Sequence, residues 1–136
     1  MTAQKTGTGA AAHNGGTDAT DHAIRTAEAI AAHEQWKETL LEAIRTGATA
    51  LSVAVVARDD GCELGRWLQN LAQTGAATDS TFLAIVAEHR RFHEHAARIL
   101  RMAVDGRSNA ALRALEGEYA LISAELRTLL LSSKQL

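Results

Sequence analysis

A chain of 136 residues with 46% apolar content has room for one domain and enough apolar surface for a real core. The formal net charge of −2, with no segment concentrating Lys and Arg, excludes a typical nucleic-acid binder, whose affinity comes mainly from neutralised phosphates. The longest apolar stretch, residues 48–57, is too short to span a bilayer and the N-terminus lacks an apolar secretory core, so a soluble cytoplasmic protein is expected, with no membrane partner.

The apolar residues are mostly Ala and Leu, proline is absent and aromatics make up only 4%. That composition favours long helices packed through small side chains, and predicts an all-α fold. Residues 1–19 carry no periodic apolar pattern and are expected to form a disordered leader before a helical domain over 20–134. A first helix is predicted from Asp21 to Arg45, with Ile30, His33, Leu40 and Ile44 on one stripe, Trp36 and Leu41 at its margins, and Gly47 as the stop. Residues 48–56 are apolar and β-branched, so a short buried helix or an extended piece both fit; a helix is favoured because nothing nearby could pair with a strand. After the break at Arg58-Asp59-Asp60-Gly61, a second short helix should open at Cys62, with Glu63 in its first turn, and run to Leu71.

The next helix is capped by Asp79 or Ser80 and ends at Gly106. Its apolar stripe runs Phe82, Ile85, Val86, His89, His93, Ala96 and Leu100, opposite Arg90, Arg91, Glu94, Arg98 and Arg101. A last helix over 108–132 places Leu112, Leu115, Tyr119, Ile122, Leu126 and Leu129 three and four apart, the spacing of a bundle seam or a short coiled coil. Four main helical segments with short connections predict a four-helix bundle, with the Cys62 segment as a short extra helix.

His89 and His93 stand one turn apart on an apolar face, where each buried imidazole must satisfy two ring nitrogens. They are either histidines satisfied at the bundle surface or ligands of a metal. His33 lies on the apolar stripe of its own helix. Cys62 is the chain's one cysteine, so it forms no intramolecular disulfide and is a buried apolar residue, a metal ligand or a reactive thiol. Three histidines and one cysteine together make the donor set of a tetrahedral zinc site and a poor one for magnesium or calcium. The other histidines are expected to be exposed bystanders: His13 in the leader, His95 off the stripe, and His22 at the start of the first helix, where it is a distant alternative ligand.

These residues, His33-x-x-Trp36, Cys62-x-Leu64-Gly65-x-Trp67 and His89-x-x-x-His93, resemble the chemoreceptor zinc-binding (CZB) domain family over residues 21–132. The resemblance implies a helical bundle, a zinc site at His33, Cys62, His89 and His93, and a sensory role without catalysis. It also implies response to zinc level or to oxidation of the Cys62 thiolate by agents such as hypochlorous acid. One departure is Leu68, where family members often carry an aromatic. Such domains are commonly fused to a chemoreceptor signalling region or a diguanylate cyclase. This chain shows neither a receptor hairpin nor a cyclase signature, so a chemoreceptor, chemotaxis adaptor or cyclase is expected to act in trans, with the last helix serving a homodimer. A filled coordination sphere and the absence of a Glu after His89 argue against metal-assisted hydrolysis. Ligand histidines must be neutral, so zinc retention is expected to weaken below about pH 6. The competing class is a metal-free helical adaptor that binds partner helices.

Overall fold

The computed structural model describes residues 15–133, and every regular element among them is helical. In chain order they are α1 (Gly15–Thr46), α2 (Val53–Val56), α3 (Glu63–Leu71), a 3-10 turn (Gly75–Thr78), α4 (Ser80–Val104), α5 (Ser108–Glu116) and α6 (Glu118–Ser132). The expected leader lies outside the described residues as far as residue 14. From Gly15 the chain is already helical, because extending a formed helix costs little where no proline intervenes.

Helix ends follow local chemistry. Gly47 has φ +72° and its N–H reaches the Ala43 carbonyl at 2.8 Å, closing α1 with a left-handed residue. Asp79 caps α4 by accepting the Phe82 N–H at 2.9 Å. Gly106, at φ +81°, ends α4, and the Arg107 N–H returns to the Met102 carbonyl at 2.9 Å.

The core is built around α4, which packs against α1, α2, α5 and α6. The predicted stripe of α4 is buried except for Val86, which is half-buried, and the buried surface is wider, taking in Phe92, Ala97, Ile99 and Ala103 as well. A helix with neighbours on several sides needs more than one apolar face. On α1 the buried line is Thr26, Ala29, His33, Leu40 and Ala43, while Ile30, Trp36, Leu41 and Ile44 sit half-buried beside it.

The single last helix expected over 108–132 is two, because Gly117 leaves helical geometry (φ −100°, ψ −105°) between α5 and α6. The seam itself forms within the chain: Leu115, Tyr119, Ile122, Leu126 and Leu130 are buried. Leu130 takes the place expected of Leu129, since a straight helix of 3.6 residues per turn drifts away from a 3.5-residue pattern. This seam closes the bundle, packing α6 on α4 and α5. No described helix is long and apolar enough to cross a membrane.

Candidate metal centre

Two helices and one helix cap converge on a single point. His33 lies midway along α1 and is 5% exposed, while His89 and His93 project from one face of α4 and are 1% and 3% exposed. Cys62 is the N-cap of α3, and its Sγ accepts the Gly65 N–H at 3.4 Å. From Sγ the Nε2 atoms of His89, His93 and His33 lie at 3.2, 3.6 and 3.9 Å. The two α4 nitrogens are 3.1 Å apart, and one donor atom from each of the four residues falls within 4.8 Å of every other.

The outer nitrogens show why these inner atoms are electron-pair donors. His33 Nδ1–H donates to the Ala29 carbonyl at 2.7 Å, one turn back on α1. His93 Nδ1–H donates to the Val56 carbonyl at 2.9 Å, at the end of α2. Each bond fixes the tautomer and turns the Nε2 lone pair inward. A tetrahedral zinc site with ordinary bond lengths has sulfur–nitrogen edges of about 3.6 Å and nitrogen–nitrogen edges of about 3.3 Å. The observed separations bracket the first and come close to the second, so His33, Cys62, His89 and His93 fit zinc, with His33 standing slightly back.

Burial sets the protonation of the group. Desolvation lowers the pKa of His33 and His93, and lowers His89 to about 3 with added repulsion from the other two rings. Backbone hydrogen bonds partly oppose the shift at His33 and His93. Desolvation raises the Cys62 thiol, with the Gly65 N–H and Arg66 acting in the other direction. The histidines are therefore neutral and ready to ligate at physiological pH. Direct protonation inside the folded site also moves to more acid pH than the value near 6 expected for unperturbed histidines.

The acceptors behind His33 and His93 are backbone carbonyls; Asp59 lies 3.7 Å from Arg90 and Asp60 pairs with Arg58 at 3.0 Å. Phe92, outside the predicted stripe, is fully buried and meets the His33 ring edge-on at 5.0 Å. Its spacing to Ala96, Ile99 and Ala103 was the available signal. A Cβ on Gly65 would sit 1.9 Å from the Asp59 carbonyl oxygen, so glycine is required there by the loop that delivers Cys62. His22 and His95 are half-buried rather than exposed: His22 bonds Ser133, and His95 Nε2 meets Glu118 at 3.1 Å. Neither joins the four-donor cluster, and His13 lies outside the described residues.

A family model described as the chemoreceptor zinc-binding domain matches residues 33–100, half of the chain, from the first donor to the last turns of α4. This chain belongs to the CZB family. The match is narrower than the resemblance over 21–132 suggested: α5, α6 and the first part of α1 complete the bundle outside the matched span. Comparison with curated proteins and with solved structures finds no match. CZB domains are zinc-binding sensory domains without known catalysis, and the four-donor cluster of this CZB chain is consistent with a zinc site of three histidines and one cysteine.

Two outcomes follow from the site. Gly65→Ala must push the 59–60 backbone away and displace Cys62, so zinc affinity in competition with a chromogenic chelator should fall about tenfold or more. An unchanged affinity would contradict the close approach. For metal-stripped protein, the lowered histidines give stability that is present above their unfolded value of about 6.5 and lost as pH falls toward their folded values. Its thermal midpoint should fall steadily from about pH 6.5 to pH 5; a flat profile would mean the rings are not buried neutral.

Proposed function

We propose that this CZB domain is a cytoplasmic sensor in which departure of Cys62 from the donor set is the signal. Zinc shortage and oxidation of the thiolate are two ways to reach that one event. The bundle reads as four main helical segments with α3 added as the movable piece.

The carrying observation is the inequality of the four donors. His33, His89 and His93 are buried on α1 and α4, helices of 32 and 25 residues, while Cys62 is only partly buried at the cap of a nine-residue helix. Displacing a ligand from α1 or α4 would break core packing along a long helix. Displacing Cys62 breaks one cap and moves one short helix, which is a small local opening. A groove of about 610 Å³ between α1 and α3 reaches His33 and Cys62 and is lined also by Arg25, Glu28, Glu63 and Arg66. It gives solutes access to the sulfur side of the site.

When bound, zinc would hold the thiol as thiolate despite the burial that otherwise disfavours the charge. Hypochlorous acid then transfers its oxygen to the thiolate and leaves as chloride, giving a sulfenic acid with weaker donor strength. The reading does not extend to hydrolysis, because three histidines and a thiolate complete a tetrahedron and leave no position for water. A metal-free adaptor is disfavoured by the same geometry, since nothing in an adaptor calls for four inward electron-pair donors. For the output, a chemoreceptor, adaptor or cyclase acting in trans, or a second copy of the chain, fits the outer face of α6, where Leu121 and Leu131 are 72% and 60% exposed.

Adding one equivalent of hypochlorous acid to zinc-loaded protein should release most of the zinc to a chromogenic chelator, and a thiol reductant should restore binding. Oxidation of Cys62, seen by mass spectrometry, without zinc release would contradict the proposal.

A further inference from the structure

A second cluster, at the middle of α3, lies one turn beyond the metal centre. Trp67 lies five positions after Cys62 on the same short helix. Its ring packs on His22 of α1, with centroids 5.7 Å apart and planes at 55°, and the Arg25 guanidinium lies 5.8 Å from the Trp67 ring centre. His22 Nε2–H donates to the Ser133 carbonyl at 3.2 Å and reaches Ser133 Oγ at 3.3 Å, with Thr26 Oγ1 3.5 Å away. Ser133 Oγ in turn donates to the Leu130 carbonyl at 2.7 Å. His22 therefore satisfies a carbonyl that the end of α6 would otherwise leave without a partner.

We propose that His22 transmits the position of α3, and with it of Cys62, to the last turn of α6. This rests on the zinc-sensing reading above and adds a route out of the site. Three elements meet at one imidazole: α3 through Trp67, α1 through His22 itself, and α6 through Ser133. The ring is also held at a cost, because His22 Nδ1 is buried without a hydrogen-bond partner. With Trp67 in place, that nitrogen is shut away and Nε2 stays on Ser133. Withdrawal of α3 uncovers the ring, water satisfies Nδ1, and the imidazole gains freedom to turn away from Ser133. The last turn of α6 then loses its cap and frays. A short rigid helix carrying a ligand at one end and an aromatic lever further along it is what such coupling requires.

Hydrogen exchange on the full chain, zinc-loaded and chelator-stripped, with metal content measured on the same samples, tests this. In wild-type protein, amides of residues 129–133 should exchange about tenfold faster after zinc removal, while those at the centre of α4 change much less. Zinc-loaded His22→Ala should keep its zinc, show the fast exchange already, and gain little more on stripping. Trp67→Leu should behave alike and decides the matter if His22→Ala fails to fold. Equal protection of 129–133 with and without zinc, or a zinc response that persists in both variants, would overturn the transmission while leaving the metal site intact. A protein that takes up no zinc would overturn the site reading and this inference with it.

Discussion

Four electron-pair donors face one another in an otherwise apolar core, and the rest of the fold is arranged around that confrontation. Three imidazole Nε2 atoms and a sulfur within 4.8 Å of one another repel unless a cation or a few shared protons lie between them. Burial prevents the histidines from relieving the problem by ionising, as the low pKa of His89 illustrates. Backbone carbonyls of Ala29 and Val56 prevent His33 and His93 from turning away. A cation among the four donors would relieve that repulsion. Metal occupancy and domain packing are therefore one equilibrium.

That coupling is distributed unevenly. α4 lies at the centre of the bundle and contributes two donors, so its register is fixed by packing on several sides. α1 contributes one donor from a long helix. The chain between α1 and α4 has the opposite character: a four-residue helix, a loop pressed against Gly65, and the nine-residue α3. It holds the Val56 carbonyl, Cys62 and Trp67. Stability is local in proteins, and this is the stretch with the least helix to lose when a ligand leaves.

Much of the site was legible in the sequence because its signals are periodic or chemically rare. The turn between His89 and His93, the apolar stripe around His33, and a cysteine opening a helix each survive in the structure. The glycines at 47 and 106 end their helices with positive φ as their positions suggested. What escaped has physical causes. The partners behind His33 and His93 are main-chain carbonyls, which leave no side-chain signature. Phe92 falls between two arginines and a histidine, so its burial shows only once α4 is known to have neighbours on several sides. The bond from His22 to Ser133 spans nearly the whole chain, and no local pattern reports a contact at that separation. Gly117 interrupts a seam whose apolar spacing runs on undisturbed, so periodicity alone hid the break.

X-ray absorption at the zinc edge of the purified, zinc-loaded chain tests the central claim most directly. The account predicts one sulfur at about 2.3 Å and three imidazole nitrogens at about 2.0–2.1 Å, with no oxygen neighbour. A first shell without sulfur, or one completed by water or carboxylate oxygen, would contradict it.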